Sequence, residues 1–427
     1  MILLDQSQQQ AIDNISRLKS KISLLIGGAG AGKSTTIKHL LVKLWGDCNS
    51  GITDENTYIA ASTGKAAKVV AENFLNADFN VINQPQTVHR MLKYNPGTGW
   101  GYNQFNKIDA RLIIVDESSM LGSDLLSRII DAVNDDCFLV LVGDEHQLMP
   151  VDPGSPFFDL INYGDKSMVN RLTFNHRQNM GSLIADSCQK ILTGTMPTFG
   201  AKGSNILGGE LQDDLFYIEE QEKEEIPGIV AELCKEMWDN KDDFIILSPQ
   251  KTGVVGVEAM NKYLQSTLNP PDPSKAEIKL GWLVLREGDR VIQTRNNYEL
   301  DVYNGFTGTV KSITRDPFED DKTVITIDFN GQEVEYRDQK HIKDLSLGFT
   351  ITGHKSQGSQ WQKGVIIIHS SHYYIQSRNL LYTMVSRFRK ELHVVGDTKA
   401  IKRGLSNVVS GDRNTYLKLR LQGEAIE

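Results

Sequence analysis

Paired cysteines are missing from this chain. Four cysteines occur in 427 residues, Cys48, Cys137, Cys188 and Cys234, and no two stand in a Cys-x-x-Cys spacing. That excludes a disulfide framework and a zinc ribbon, and it fits a reducing compartment. Long apolar runs are missing too: nothing approaches the roughly 20 residues that cross a bilayer. The opening MILLDQSQQQ has neither the basic nor the long apolar region of a secretory signal. The expectation is a soluble protein without a membrane partner, cytoplasmic, or in the host cytoplasm if a phage encodes it. Nor is there a basic excess, since 54 acidic against 46 basic side chains leave a net charge of −8. Indiscriminate adhesion to polyanions is thereby excluded, and any nucleic-acid site has to be a local basic groove. No solenoid repeat or low-complexity tract occurs, and the acidic run EEQEKEE at 219–225 reads as a solvated face.

What is present is an alternation. The apolar, β-rich runs SLLIGG, TYIAAST, LIIVDE, FLVLVGD, FIILSP and GVIIIH take turns with helix-period segments such as TTIKHLLVKLW and DLLSRIIDAV. This predicts an α/β fold of parallel sheets with flanking helices, in two blocks that meet near residue 170. Between about Trp282 and His341 the texture changes to short alternating strands, DRVIQT, GTVKSIT, TVITIDF and QEVEYR, broken by Asn304-Gly305 and Asn330-Gly331. A small antiparallel barrel inserted into the second block accounts for it.

The strongest local signal is GGAGAGKST, comprising Gly27, Gly28, Ala29, Gly30, Ala31, Gly32, Lys33, Ser34 and Thr35. It follows an apolar strand and opens a helical pattern, the setting a phosphate-binding loop requires. The glycines let backbone N–H groups converge on phosphate, Lys33 reaches the β/γ oxygens, and the Ser34 hydroxyl is placed for Mg2+. Asp116 and Glu117 close the strand LIIV, which places both carboxylates at the carboxyl edge of the sheet. Asp116 suits the Mg2+ shell, and Glu117 suits the orientation and deprotonation of an attacking water. Gln147, in GDEHQLMPV after the next strand, suits a γ-phosphate sensor. Three strand ends converging on ATP describe a RecA-type core, which kinases, clamp loaders and helicases share.

The ordered motifs that follow resemble those of superfamily 1B DNA helicases of the RecD-like group, from Leu4 to about Asp397. Gln8 in LLDQSQQQA resembles the glutamine that reads adenine, and STGKAA resembles the motif in which Thr63 and Lys65 touch DNA phosphates. TVHRML, with His89, resembles the next DNA-contact motif. Asn175-His176-Arg177-Gln178 resembles the segment carrying an arginine finger, here Arg177. LSPQKTG, with Ser248 and Pro249, and TGHKSQGSQW, with Thr352, His354 and Gly358, are similar to the second domain's DNA and nucleotide motifs. LLYTMVSRFRK resembles the motif with a second finger, Arg387. The pattern departs at Gly353, Gln360 and Phe388, where the family carries an apolar residue, a glutamate and a small residue.

The resemblance implies a first RecA-like domain over 1–170 and a second over 171–275 and 342–427, with ATP between them and an SH3-like insertion at 276–341. It also implies a β-hairpin pin at about 93–108 that splits the duplex. There Asn95-Pro96-Gly97-Thr98-Gly99 supplies turn chemistry, and Trp100, Tyr102 and Phe105 supply flat faces. Spacing does not decide which ring forms the tip, and packing of these rings within the protein is the competing reading. The implied activity is ATP- and Mg2+-dependent 5′→3′ translocation on single-stranded DNA with opening of duplex or fork DNA. The enzyme is expected to be a stand-alone monomer, with single-strand-binding or replication proteins as further partners. A translocase that strips proteins and unwinds poorly, an RNA track and a non-motor nucleotide switch are the alternatives. His369-x-x-His372 lacks a third ligand at metal spacing and reads as structural.

Overall fold

The computed structural model describes residues 4–75, 81–174, 176, 181–200, 214–315, 323–409, 413 and 415–423. The chain forms two compact units, Met1–Met180 with Val409–Glu427, and Gly181–Val408. Among the described residues no helix is long and apolar enough to cross a membrane.

The first unit opens with α1 (Gln6–Ser16), whose amino end is a reciprocal cap. The Asp5 carboxylate accepts from the N–H groups of Ser7 and Gln8, and the Gln8 side chain accepts from Asp5 N. There follow β1 (Ile22–Ile26), α2 (Lys33–Gly46), β2 (Thr57–Ala61), α3 (Gly64–Leu75), β3 (Gln86–Thr87) and α4 (Val88–Met91). A hairpin of two short strands, β4 (Tyr94–Asn95) and β5 (Gly99–Trp100), lies inside the interval expected to hold the pin. The unit continues through β6 (Leu112–Asp116), α5 (Ser123–Ala132), β7 (Phe138–Gly143), α6 (Pro156–Tyr163) and β8 (Val169–Arg171). Strands β3-β2-β6-β7-β1-β8 form one sheet in that order, all parallel. Both faces are covered, so the strands are continuous apolar runs: Leu24, Leu25, Ile113 and Ile114 are fully buried. Each such side chain contributes roughly 1.5–3 kcal/mol over its exposed state.

The first unit extends beyond the expected boundary at residue 170. β8 pairs with β1, and Leu172 N donates to Ile26 O at 2.8 Å. A three-residue strand is too short for its alternation to register in sequence. The terminal stretch also departs from expectation, which assigns it wholly to the second domain. The last helix, Tyr416–Leu421, instead packs on α6 with Leu417 and Leu421 against the first unit's core, and Thr415 Oγ1 donates to Asp159 Oδ2 at 2.6 Å. Six residues with two apolar anchors do not announce which core they join.

The second unit contains α7 (Leu183–Leu192), β9 (Leu215–Glu219), α8 (Ile226–Asp239), β10 (Phe244–Ser248) and α9 (Val257–Leu268), then a hairpin of β11 (Glu277–Leu280) and β12 (Leu283–Arg286). Next come β13 (Arg290–Gln293), β14 (Thr307–Arg315), β15 (Thr323–Phe329), β16 (Gln332–Tyr336), α10 (Gln339–Ile342) and β17 (Leu345–Leu347). It finishes with β18 (Thr350–Thr352), β19 (Trp361–Ile368), α11 (Arg378–Val385), β20 (Phe388–Gly396) and α12 (Thr398–Ser406). Strands β18-β10-β19-β20-β9 make a second all-parallel sheet. The inserted strands form an antiparallel sheet in the order β16-β15-β14-β13-β17. Because β17 pairs with β13, this insertion runs on to Leu347, past the expected limit at 341.

Candidate functional site

In the first unit the carboxyl ends of the parallel strands carry the chemistry. The loop after β1 is held from below by Gly27 N donating to Gly143 O (3.1 Å). Gly32 ends the loop at φ +77, and a Cβ there would lie 2.3 Å from Gln8 Nε2, so any other residue would be strained and would push the Gln8 amide aside. No side chain caps the amino end of α2, a 14-residue helix whose first N–H groups and dipole are thereby left to an anion. Lys33 Nζ donates to Gly27 O (2.7 Å) and Gly28 O (3.2 Å). A glycine cradle, an uncapped helix end and an ammonium over the loop are the donor set of a triphosphate site.

Asp116 closes β6 on the same sheet. Its carboxyl accepts from Glu117 N at 2.8 Å, and it is pushed up to about 6, by burial first and by the Glu117 charge second, with Lys33 opposing. Lys33 therefore acts on Asp116 across the site. A single carboxylate at this strand end, with a hydroxyl at the start of α2, suits Mg2+, which takes one or two protein oxygens and completes its shell with phosphates and water. Glu117 adopts φ +51, an uncommon conformation for a non-glycine residue and a form of strain that clusters at working sites. Its carbonyl oxygen is held by Ser62 Oγ at 2.9 Å. Gln147 is buried and donates to Asp144 Oδ2 at 3.3 Å.

Register places the remaining candidates of this unit on the same edge. Ala61 pairs with Thr87 on one side and with Asp116 on the other. Thr63 Oγ1 accepts from Ala66 N at 3.2 Å and starts α3, bringing Lys65 into its first turn. Thr87 Oγ1 accepts from Arg90 N at 3.1 Å and caps α4, which carries His89. Along the edge the order is His89, then Thr63 and Lys65, then Asp116 and Glu117, then Gln147, then the phosphate loop.

The hairpin aromatics separate into two kinds. Trp100 stacks on His89 (5.4 Å, 28°) and lies 4.6 Å from the Tyr94 ring; Lys93 Nζ stands 4.5 Å over Tyr102. These rings pack within the first unit, so Trp100, partly buried, braces His89. Phe105 is 89% exposed on a turn locked by Asn103, whose side chain accepts from Phe105 N (2.9 Å) and donates to Trp100 O (3.1 Å).

In the second unit Ser248 and Thr352 are cross-strand partners at the carboxyl ends of β10 and β18. Ser248 is fully buried, with Oγ donating to Val255 O at 2.8 Å, and Pro249 is buried too. They shape the corner and do not face a ligand, because the loop after β10 folds over them. The exposed groups here are Lys251, Thr252, His354 and Lys355, with Thr352 Oγ1 accepting from Lys355 N at 3.2 Å. Gly358 (φ +71) and Arg387 lie at the opposite, amino edge, where Trp361 pairs with Phe388. Arg387 is 2% exposed and donates to Thr383 O (3.0 Å), Ser359 O (3.3 Å) and Ser386 Oγ (3.3 Å). Arg177 lies outside the described residues.

The departures from the family pattern are locally matched. A Cβ on Gly353 would meet Leu380 Cδ1 at 2.7 Å, Gln360 accepts from Arg389 Nε at 2.7 Å, and the buried Phe388 ring fills the space above Gly364. His369 is engaged by Ser371 Oγ (2.9 Å) and Gln221 O (3.0 Å); His372 is fully buried, and burial depresses it to about 4.

Sequence reasoning passes over three residues. Ser62 stands inside a quoted motif, yet its bond to Glu117 spans 55 positions. His176 N donates to Gly30 O (3.2 Å), and its Nε2 lies 3.0 Å from Asp5 Oδ2, tying the α1 cap to the phosphate loop. Asp5 itself is detectable, since Asp-x-x-Gln before a helical run is a capping-box signature.

Three sequence-family models match in chain order. They are the AAA domain over residues 8–153, the ATP-dependent RecD-like DNA helicase SH3 domain over 260–329 and the UvrD-like helicase C-terminal domain over 347–395. The chain is 30% identical over 397 residues to the ATP-dependent RecD2 DNA helicase of Deinococcus radiodurans, covering 93% of this chain and 50% of that protein. It thus spans half the length of that relative. It is 26% identical over 439 residues to the RecBCD enzyme subunit RecD of Mycobacterium tuberculosis, covering 95% and 71%. Among solved structures, Bacteroides Pif1 bound to single-stranded DNA matches with a TM-score of 0.55 at 21% identity, over 96% of this chain and 95% of that one. Pif1 helicase from Candida albicans matches at 0.54 and 16%, over 95% and 96%. These structural likenesses are likenesses of fold. Two parallel sheets, a phosphate loop on the first and an SH3-type insertion in the second define a two-domain P-loop helicase fold. Within that class the chain is similar to the RecD-like helicases over most of its length.

Proposed function

We propose that this chain is an ATP-driven motor that moves 5′→3′ along single-stranded DNA and opens duplexes at forks. The observation that supports it most directly is the order along one sheet edge. Residues suited to a polynucleotide (His89, Thr63, Lys65) adjoin residues suited to a triphosphate, and the Ser62–Glu117 hydrogen bond joins the two sets. Gly27 to Thr35 hold the phosphates, with Gln8 at the adenine side, and Lys33 neutralises charge on the transferring group. Ser34 and Asp116 would hold Mg2+, which would supply Lewis-acid neutralisation of the phosphate oxygens. Glu117 takes the proton of the attacking water, and Gln147 senses the γ-phosphate. Arg387 and Arg177 are the fingers, and Gly358 adjoins the nucleotide.

Coupling has a plain geometric basis in each unit. In the first, the strained Glu117 peptide is bonded to the residue that precedes Thr63, so a shift at either end reaches the other. In the second, the DNA-facing Thr352 and His354 and the finger Arg387 occupy opposite edges of one sheet. The motor is taken to work as a monomer, with single-strand-binding or replication proteins as partners at a fork. DNA is taken as the track from the family, since phosphate contacts do not read the sugar.

Two measurements test this. ATP hydrolysis by the purified chain is expected to rise at least about tenfold on adding single-stranded DNA. A duplex with a 5′ tail is expected to open while one with a 3′ tail does not. Equal hydrolysis with and without DNA overturns the motor, and a 3′-tail preference overturns the polarity; an RNA-tailed substrate in parallel tests the track.

The exposed Phe105 is the ring proposed to stack on the last base pair. Stacking of about 1–3 kcal/mol per base predicts that Phe105→Ala slows unwinding by about tenfold, with DNA-stimulated hydrolysis falling by less than about twofold. Unwinding at the wild-type rate would remove the pin role.

A further inference from the structure

Loop 150–154 of the first unit is anchored at its start by the buried Pro150 and near its end by Ser123 N, which donates to Pro153 O at 3.0 Å. Val151, Asp152 and Pro153 are exposed, and Gly154 sits at φ +86, where a Cβ would come 1.9 Å from Ser123 Oγ. One side chain gathers the loop. Arg413 donates through Nη1 to Asp152 O and Gly154 O, both at 3.0 Å, and through Nη2 to Pro150 O at 2.8 Å. A planar guanidinium with five donors can collect three carbonyls in this way, whereas an ammonium on a flexible stem holds them poorly. The seat of Arg413 is itself built. Thr415 bonds Asp159, and the helix it caps is docked on α6.

The loop is linked to two functional groups. Gln147 stands just upstream of it on the strand-end turn. The loop's Asp152 carboxylate, with Asp124, partly restores the basicity that burial takes from His89. Arg413 also belongs to the segment by which the chain returns from the second unit after Val408.

We propose that Arg413 is a positioning residue that fixes loop 150–154, which directly follows the nucleotide sensor Gln147, and so sets how strongly ATP hydrolysis responds to single-stranded DNA. The proposal rests on the motor reading above. Its test uses the full chain and two variants, Arg413→Ala and Arg413→Lys, with a thymidine oligonucleotide as probe. Losing charged hydrogen bonds predicts that Arg413→Ala raises the oligonucleotide concentration for half-maximal stimulation by about tenfold, and amide exchange around 150–154 by at least as much. Turnover without DNA is expected to stay within about twofold, and Arg413→Lys to recover only part of the loss. Unchanged exchange in the loop overturns the proposal, as does a parallel fall of DNA-free and DNA-stimulated turnover. A wild-type chain without DNA stimulation overturns the motor reading and this role together. Normal stimulation in Arg413→Ala, with a responsive wild type, overturns this role alone.

Discussion

Replacing Lys33 with alanine is expected to lower ATP turnover by about 10³ or more while nucleotide affinity falls by only about tenfold. The asymmetry follows from what the lysine touches. Its ammonium rests on the carbonyl oxygens of Gly27 and Gly28, so it is already poised over the loop and needs little rearrangement to meet phosphate. The rest of the cradle is backbone: the glycines, and the uncapped end of α2, survive the substitution and continue to attract an anion. What is lost is a positive charge where negative charge shifts during transfer, an interaction stronger in the transition state than in the ground state. A second loss falls on Asp116. Its carboxyl is already pushed up to about 6 by burial and by Glu117, and Lys33 is the charge that opposes them. Without it the acid form gains at neutral pH, Mg2+ is held less well, and the residual activity moves to higher pH. Turnover numbers with and without single-stranded DNA, set beside equilibrium binding of a fluorescent ATP analogue, check this. Retention of more than about a tenth of wild-type turnover would mean that the catalytic nucleotide site lies elsewhere.

Much of this site is legible in the sequence alone, for a physical reason. Strand–glycine loop–helix, and carboxylates ending an apolar strand, are local arrangements whose chemistry and backbone geometry are written in neighbouring residues. Gly32 is a case in point, since its positive φ and the Gln8 amide pressing on it would strain any other residue. The six apolar runs form strands of the two parallel sheets for the same reason: burial on both faces demands continuous apolarity. The parts that are not legible are long-range. Ser62 meets Glu117, and His176 meets Asp5 across most of the first unit's sequence. No periodicity encodes either pairing. Ser248 shows the converse error. Its motif suggests a ligand contact, but the fold of the following loop engages its hydroxyl with Val255 O. Trp100 misleads in the same direction, because a hairpin of aromatics looks the same in sequence whether its faces point outward or onto a nearby histidine.

Arg387→Lys is expected to cut turnover by about 10³, toward the lower end of what an arginine finger supplies. The lysine variant is the informative one. Arg387 is almost wholly buried, and alanine would strand the Ser359 carbonyl at a cost of about 1–3 kcal/mol, confusing lost catalysis with a weakened second unit. Lysine keeps the charge and much of the stem but not the fork that grips two oxygens at once. The contacts of the guanidinium suit a group that is retained without being locked. Two of its three bonds, to Ser359 O and Ser386 Oγ, are 3.3 Å, long for an ionised donor. Exchanging them for phosphate oxygens would cost little, and the site at the amino edge, beside Gly358, is where such an exchange would be read out on β19 and β20. If the finger role holds, KM for ATP changes by no more than about threefold, thermal unfolding stays near wild type, and the loss is confined to kcat. If instead Arg387→Lys keeps turnover within about tenfold and lowers the melting temperature, Arg387 is a strut between Ser359 and α11. The burden of transition-state charge would then fall on Arg177, whose own replacement becomes the deciding experiment.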